Sequence, residues 1–378
     1  MNELKEKCPT NEAYTFLAIA DVHIGWKLFN LPELADDLKE DFIRAVDLAI
    51  KLKVTYLFIV GDLFDINKPT PDLIAFVKTQ VDRAAKAGVI MAGIAGDHDK
   101  PINENSWIHL TGVVPINDLN DPRFVGYDYC DQSMLNIKAI DELTTKKQVE
   151  WIFLHGQVPG LFDFCEEKKL LDFKQVDLIG DFPNLKGVVL GDIHYPSESV
   201  VHDPKEERQP LPFIGYCGSL GMVKSSEIGN KKGILYFDGN KLKRIPFELT
   251  RKFIKIILSE AFTPINWISK YSQFFKEHKG KKPLIVVEYN SSEEEKLPLL
   301  NSLYEVALVK LSKVSKTQDN EAEAINLRSE LTTNKQTSAV LRKEFTDDVA
   351  FNLASALIDS EDEATTILDK FKASIFNA

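Results

Sequence analysis

The sequence is poor in cysteine, and its four cysteines are scattered without a C-x-x-C pair. Disulfide frameworks are dense in cysteine and zinc knuckles carry closely spaced pairs, so we expect reduced thiols in a cytoplasmic protein. Long apolar runs are also missing. The opening MNELKEKCPTNEAY has no signal-peptide core, and no run approaches the roughly 20 residues of a membrane span. We therefore expect no membrane segment.

Basic residues are also fewer than acidic ones, 46 against 57. The net charge of −11 argues against a generally basic protein that coats DNA. It leaves a nuclease open, because metal ions and a local lysine face can supply a positive field. The 378 residues, of which 44% are apolar, suggest two or three domains at roughly 150 residues each.

The first half of the chain alternates short apolar runs with amphipathic patterns, which is typical of a layered α/β domain. Apolar periodicity predicts helices over 34–52 and 72–87. Strands are predicted at 15–20, 54–60, 89–95, 151–154 and 187–190.

Each of these five strands ends directly before a residue that can bind a metal. Loops that leave the carboxyl ends of neighbouring strands converge on one crevice, so these side chains are expected to meet. Divalent ions that act on phosphate esters use carboxylates and neutral imidazoles, and a bridging carboxylate holds two ions about 3.5–4 Å apart. The candidates are Asp21, His23, Asp62, Asp97, His155, Asp192 and His194, with His98 and Asp99 beside them.

Each motif alone has an ordinary structural explanation. A Gly-Asp or Asp-x-His after a strand is common turn chemistry, and His155 alone is compatible with a hydrogen-bonded core histidine. The joint order is harder to explain in that way, because four of the seven histidines stand at strand ends. We interpret the set as a two-metal site.

The sequence changes character after about residue 220. Strands at 233–237 and 244–248 should finish the first domain, and a small β-α-β-α-β unit is predicted at 251–311. Apolar residues recur at helical spacing near the end of the chain. The predicted domains are a core at 1–248, a small domain at 249–316, a linker at 317–340 and a helical segment at 341–378.

The order D-x-H, GDLFD, GDHD, a lone His, GDIH and then GSL at 218–220 resembles the calcineurin-like metallophosphatases. Within that superfamily the chain is similar to the SbcD-type nucleases, the bacterial counterparts of the eukaryotic meiotic-recombination-eleven repair nuclease. The resemblance covers nearly the whole chain. It implies an α/β fold with a layered β-sandwich core flanked by helices, a small α+β domain that caps DNA, and C-terminal helices that bind a coiled-coil ATPase of the SbcC type. It also implies a homodimer.

The resemblance further implies roles for the candidates. Asp62 would bridge two divalent ions, Mn²⁺ or else Mg²⁺. His98 would stabilise the pentacovalent phosphate or protonate the leaving oxygen, and Asp99 would orient His98. One ion would be bound by Asp21, His23, Asp62 and His194, and the other by Asp62, Asp97, His155 and Asp192.

Two positions depart from the family pattern, which has Asn where Asp97 stands and His where Asp192 stands. Both replacements can bind a metal, but they add negative charge. Four carboxylates against two divalent ions give a formally neutral site, which attracts a phosphate less strongly and acidifies water less.

Basic and aromatic residues near these motifs have two interpretations each. Lys224, Lys231 and Lys232 are candidates for contact with the DNA backbone, although a solvated surface explains them equally well. Trp26 and Phe29 are more typical of core or interface residues than of a surface on which bases stack.

Three functions remain open. The first is a metal-dependent DNA exonuclease and endonuclease that acts on duplex ends, hairpins or single strands with an ATPase partner. The second is a phosphoesterase for small molecules or proteins, and the third is a weakly catalytic scaffold for DNA and the ATPase. The small domain and the C-terminal apolar stripes favour the first, while the added charges of Asp97 and Asp192 keep the third open.

Overall fold

The computed structural model describes residues 13–100, 107–129, 146–157, 182–200, 212–258, 280–290, 294, 297, 300, 301 and 303–314. The chain divides into two compact units, Met1–Glu288 with Glu293–Ser312, and Tyr289–Ser292 with Lys313–Ala378. The predicted linker at 317–340 and the predicted helical segment at 341–378 lie outside the described residues. No helix in the described ranges has the length and apolar character needed to cross a membrane.

The predicted strand and helix alternation is confirmed. The two long helices begin at prolines, whose fixed φ and missing N–H suit the first helical turn. The first sheet and its helices comprise β1 (Phe16–Ile19), α1 (Pro32–Leu52), β2 (Tyr56–Val60), α2 (Pro71–Lys86), β3 (Ile90–Ile94), α3 (Trp107–Leu110) and β4 (Val114–Pro115). The chain continues with β5 (Phe124–Gly126), β6 (Trp151–His155), β7 (Gly187–Gly191), β8 (Ser197–Val200), β9 (Phe213–Tyr216), β10 (Gly233–Phe237) and β11 (Leu242–Pro246).

These strands form two sheets. The first has six strands in the order β11-β10-β1-β2-β3-β4, and the second has five in the order β5-β6-β7-β9-β8. Parallel pairing joins β1, β2 and β3 in the first sheet and β6, β7 and β9 in the second. The carboxyl ends of β1, β2 and β3 therefore lie along one edge of the first sheet, and those of β6 and β7 along one edge of the second.

Side-chain alternation along the strands builds the layers, because successive residues of a strand point to opposite faces. Phe16 and Phe58 of the first sheet pack against Trp151 and Phe153 of the second, with the Phe58 and Phe153 ring centroids 4.4 Å apart. On the other face of the first sheet, alternate residues such as Leu57 pack against α1 and α2. The result is the expected sandwich flanked by helices.

A third sheet has the order β12-β13-β14 and comprises β12 (Phe253–Ile257), β13 (Leu284–Tyr289) and β14 (Leu308–Lys313), with α4 (Leu303–Val306) before its last strand. Arg251, just before β12, forms a buried ion pair with Asp37 of α1. Lys281 Nζ lies 2.8 Å from Asp37 Oδ1 and 2.8 Å from Glu40 Oε1. Lys281 therefore forms ion pairs with two carboxylates of α1. The predicted helix near 264–277 lies outside the described residues.

Candidate metal centre

All seven predicted ligands converge at the carboxyl ends of β1, β2, β3, β6 and β7. We call them the carboxylate–imidazole cluster. Their side chains form overlapping groups of three in which the ligand atoms all lie within 4.8 Å of one another. The groups drawn from the cluster are Asp21–His23–His194, Asp21–Asp62–His155 and Asp97–His155–Asp192, and two further groups include His98, one with Asp62 and Asp97 and one with His23 and Asp65.

The backbone at these strand ends is unusual. Asp21, His23 and Asp62 have φ of 49°, 50° and 51°, and Asp192 has φ of 92°. Such left-handed conformations cost on the order of 1–3 kcal/mol each in non-glycine residues and cluster at functional sites. The reversal of the chain at each position turns the side chain towards the other strand ends.

Two glycines let the loops approach closely. A Cβ at Gly61 would collide with the ring of His155, and a Cβ at Gly96 would collide with the carboxylate of Asp62. The Gly-Asp pairs at these strand ends are therefore required by packing as well as by turn geometry.

Asp62 lies at the centre of the cluster. Its Oδ2 atom is 3.5 Å from His23 Nε2 and 3.5 Å from His155 Nε2. Its Oδ1 atom accepts a hydrogen bond of 2.9 Å from the backbone N–H of His98. Burial disfavours the carboxylate, but His155 and His23 outweigh this and lower the pKa of Asp62. A carboxylate close to two imidazoles suits a bridging ligand.

The three imidazoles of the cluster are oriented through their Nδ1 atoms. Nδ1 of His23 lies 3.2 Å from Asp65 Oδ1, and Nδ1 of His194 lies 2.7 Å from Glu227 Oε1. Nδ1 of His155 lies 3.0 Å from the carbonyl oxygen of Val60. Acceptors at Nδ1 leave Nε2 as the atom that faces the cluster, which is how metal-binding histidines are usually held.

The cluster fits divalent cations. His23 Nε2 and His194 Nε2 are 3.2 Å apart, close to the roughly 3 Å separation of two nitrogens bound to one ion at about 2.1 Å each. Asp21 Oδ2 is buried and has no hydrogen-bond partner among the described residues. Burial raises the pKa of Asp21 to about 7, and the nearby imidazoles of His155 and His23 offset this rise only in part. Hard oxygen atoms and imidazole nitrogens in this arrangement match divalent metal ions.

His98 sits at the rim of the cluster, with its side chain 44% exposed. Burial opposes protonation, but the nearby Asp62 carboxylate, the Asp65 carbonyl and the Asp97 carboxylate together raise the pKa of His98. Its Nδ1 lies 2.8 Å from the carbonyl oxygen of Asp65. Asp65 therefore contacts the ring of His98, and the orienting role that the resemblance gives to Asp99 stays a prediction.

Asp99 is fully buried and forms hydrogen bonds with the two loops that carry Asp62 and Asp97. Its carboxylate accepts backbone hydrogen bonds of 2.7 Å from Gly96 and 3.0 Å from Phe64. Asp99 thus joins the loop after β3 to the loop after β2.

The three candidate DNA-binding lysines have different surroundings. Lys224 and Lys231 are exposed. The Lys232 side chain is only 2% exposed, and its Nζ lies 2.7 Å from Glu227 Oε2. A buried, paired ammonium does not reach a phosphate on the surface. Of the three lysines, only Lys224 and Lys231 are therefore placed for contact with DNA.

Sequence reasoning missed Asp65 and Glu227. They bind His23 and His194 from 42 and 33 residues away in the chain. The signal for Asp65 was its place within the GDLFD motif itself. Glu227 lies in the 3₁₀ turn Ser225–Glu227, which begins five residues after GSL, and no sequence motif marked it.

The two aromatic residues after the D-x-H motif also differ. Phe29 is half-buried and packs in a cluster with Leu28, Leu34 and Met222. Trp26 is 37% exposed, and its indole N–H donates a 2.8 Å hydrogen bond to the carbonyl oxygen of Val223. Trp26 therefore offers a partly open ring close to the metal centre.

The sequence is similar to one known protein family and to several known proteins. Residues 14–196 match the calcineurin-like phosphoesterase family. The DNA double-strand break repair protein Mre11 of Sulfurisphaera tokodaii is 38% identical over 85 residues, which is 22% of this chain and 22% of that protein. The Mre11 protein of Thermoplasma acidophilum is 25% identical over 71% of this chain and 75% of the relative. That of Methanococcus maripaludis is 21% identical over 94% of this chain and 99% of the relative.

Solved structures show weaker likeness. A dimetal phosphatase from Danio rerio is 10% identical with a TM-score of 0.35, covering 63% of this chain and all of that one. A metallophosphoesterase from Sphaerobacter thermophilus is 11% identical with a TM-score of 0.27, covering 69% and 94%. At these values the structural likeness adds nothing to the assignment. The sequence matches and the strand-end cluster together show that the chain carries a calcineurin-like metallophosphatase domain at residues 14–196 and is similar to the Mre11 proteins.

Proposed function

We propose that this protein is a metal-dependent DNA nuclease that hydrolyses phosphodiester bonds during the processing of DNA ends. The observation that carries the proposal is the convergence of six other carboxylates and imidazoles around Asp62. The names of the relatives support DNA as the substrate, since each is called a DNA double-strand break repair protein. We infer an intracellular protein associated with nucleic acid.

The cluster would hold two divalent ions, with Mn²⁺ preferred and Mg²⁺ as the alternative. When bound, the ions supply Lewis acidity to the phosphate and lower the pKa of water. Asp62 spans both positions. The remaining ligands divide as the family resemblance implies: Asp21, His23 and His194 on one side of Asp62, and Asp97, His155 and Asp192 on the other.

His98 is proposed to act on the transition state. Its Nδ1–H donates to the Asp65 carbonyl, so Nε2 is the atom that can present a proton to the leaving oxygen. The carboxylates around it raise its pKa and so favour the protonated ring near neutral pH. The exposure of the ring gives a substrate access to it.

Substrate contacts are proposed at the rim. Lys224 and Lys231 would contact the DNA backbone, and the open face of Trp26 would stack on a base. All three are exposed on loops next to the cluster or to the segment that holds His194.

A substrate panel tests this function against its alternatives. End-labelled duplex, hairpin and single-stranded DNA are incubated beside a chromogenic phosphodiester and a cyclic nucleotide, with Mn²⁺, Mg²⁺ or chelator. Metal-dependent cleavage of DNA with little turnover of the cyclic nucleotide supports the nuclease. The reverse preference would establish a small-molecule phosphoesterase. DNA binding without cleavage of any substrate would establish a scaffold.

We further propose that the segment 341–378 binds a coiled-coil ATPase of the SbcC type and that the chain forms a homodimer. The support is the family resemblance and the apolar residues at helical spacing in that segment. A chain truncated after residue 336 is expected to stay folded and cleave the chromogenic substrate, but not to co-purify with the ATPase. Loss of folding on truncation would instead mean that the segment packs on its own core.

A further inference from the structure

The carboxylate of Glu227 is buried and fully engaged. Its side chain is 4% exposed. Oε1 accepts hydrogen bonds of 2.7 Å from His194 Nδ1 and 2.9 Å from the Lys224 backbone N–H. Oε2 accepts from Ser219 Oγ at 2.9 Å and from the Val223 backbone N–H at 3.3 Å, and it also binds Lys232. Four of these five donors come from the segment 219–232 itself, and the fifth is a member of the carboxylate–imidazole cluster.

Lys232 keeps this carboxylate charged. Its Nζ lies 2.7 Å from Glu227 Oε2 and also donates to Ser219 Oγ. A buried carboxylate without a counter-charge tends to take up a proton, whereas one paired with an ammonium remains an acceptor. The pair is neutral as a whole, so it adds no net charge to the metal centre.

An acceptor-only carboxylate determines the tautomer of His194. Because Oε1 carries no proton, the hydrogen of the neutral imidazole belongs on Nδ1 and the lone pair on Nε2. Nε2 is the atom that lies 3.2 Å from His23 Nε2, inside the cluster. The opposite tautomer would direct an N–H into the cluster and leave two acceptors in contact at Nδ1.

We propose that Glu227, clamped by Lys232, is a positioning residue that fixes the tautomer and ring orientation of His194. This rests on the proposed role of His194 as a metal ligand. The carboxylate partners of metal-binding histidines typically contribute 10-fold to 100-fold in metal affinity. Glu227 touches neither substrate nor the reacting atoms, so its effect passes through His194.

The competing explanation is that the Glu227–Lys232 ion pair only stabilises the fold of the segment 219–232. A purely structural ion pair affects folding and both metal positions together, whereas a positioning residue acts on the position that includes His194. The tautomer of His194 distinguishes the two explanations directly, because a purely structural ion pair does not fix it.

The test uses the full chain and Mn²⁺ alone. A long-range proton–nitrogen NMR spectrum of the metal-free, histidine-labelled protein reports each tautomer, and His194→Gln assigns the signal among the seven histidines. Calorimetry with Mn²⁺ reports each binding step. The variants are Glu227→Ala and the double variant Glu227→Gln with Lys232→Met, which keeps an amide oxygen for His194 and removes the unpaired ammonium. Ser226→Ala, which changes an exposed residue of the same segment, is the control.

Wild type is expected to show hydrogen on Nδ1 of His194. Glu227→Ala is expected to lose this preference and to bind one of two Mn²⁺ ions about 10-fold to 100-fold more weakly. The double variant should keep the tautomer and most of the affinity, and Ser226→Ala should match wild type. Hydrogen on Nε2 in wild type, or equal weakening of both ions in the double variant, would overturn the proposal even if Glu227→Ala failed to fold. No DNA is involved, so the outcome is separate from that of the nuclease assay.

Discussion

His23 Nε2 and His194 Nε2 face each other across 3.2 Å, although 171 positions separate the two residues in the chain. Each ring has a carboxylate at its Nδ1 atom, Asp65 for His23 and Glu227 for His194. A cation between the two rings would be bound by both Nε2 atoms, while the two carboxylates hold the rings in place.

Metal binding should stabilise the protein measurably. At free Mn²⁺ equal to 100 times the dissociation constant, each occupied position should raise the free energy of unfolding by about 2.7 kcal/mol. Denaturant titrations with Mn²⁺ and with chelator measure this. Magnesium serves as a second ion, and Na⁺ at equal ionic strength controls for general charge screening. Identical midpoints with Mn²⁺ and chelator would rule out a preformed metal centre.

Asp62→Ala should abolish hydrolysis and disturb both metal positions, because its Oδ2 atom is 3.5 Å from an imidazole of each. A metal centre contributes several kcal/mol to transition-state stabilisation, so the loss of turnover should be at least about 1,000-fold. Calorimetry measures the number of bound ions and a DNA assay measures the rate. Asp36→Ala, which removes an exposed carboxylate of α1, is the matched control. A variant that kept two ions would show that Asp62 does not bridge.

His98→Ala should lose turnover about 100-fold to 10,000-fold, the usual contribution of a general acid, while it keeps both metal ions and DNA binding. The reason is that His98 lies at the rim and its Nδ1 is engaged by a backbone carbonyl. His109→Asn is the control, since His109 is a histidine bound to Asp128 outside the cluster. Loss of a metal ion in His98→Ala would make His98 a ligand instead.

Asp97→Asn should raise turnover and weaken metal affinity. Asp97 Oδ1 lies 3.3 Å from His155 Nε2, and an Asn oxygen can occupy the same place without the charge. Less negative charge increases the attraction of the ions for phosphate and their effect on water. Duplex hydrolysis against Mn²⁺ concentration gives both quantities. A dead variant with unchanged affinity for Mn²⁺ would mean that the Asp97 carboxylate has a chemical role of its own.

The same carboxylates set the expected choice of metal. Four carboxylates favour hard ions, so Mn²⁺ or Mg²⁺ should support turnover and Zn²⁺ should add little. Restoring the family pattern with Asp97→Asn and Asp192→His should shift the preference towards Zn²⁺. Turnover rates with each metal at matched free concentration measure the shift. An unchanged ranking of the metals would show that the charge of Asp97 and Asp192 does not determine the choice of metal.

Much of the fold was predictable because buried strands carry strong local signals. The runs ending before Asp21, Asp62, Asp97, His155 and Asp192 are apolar on both faces, as expected of parallel strands covered on both sides. Strands β5, β8 and β9 were missed, since three or four residues give too little periodicity to identify a strand. Strand β11 begins two residues earlier than predicted, at Leu242.

The residues around the ligands were less predictable. Asp65 and Glu227 reach their histidines across long chain separations, and no local pattern encodes which carboxylate meets which ring. Lys231 and Lys232 are neighbours with the same chemistry, yet the first is exposed and the second is buried. The difference arises because Lys232 immediately precedes β10 and points into the space occupied by Glu227, and this depends on tertiary packing.

The left-handed backbone at the strand ends limits which residues can replace the metal-binding candidates during evolution. Asp21, His23, Asp62 and Asp192 all have positive φ, a conformation that Asn, Asp and His adopt more readily than other side chains. Glutamate and cysteine are good ligands in general, but at these positions they carry an added backbone cost. Ligand exchange among relatives should therefore move within Asp, Asn and His, and Asp192 in place of the family's His is a step of that kind. Selection for a different metal would have to work within this small set of residues, or else rebuild the loops.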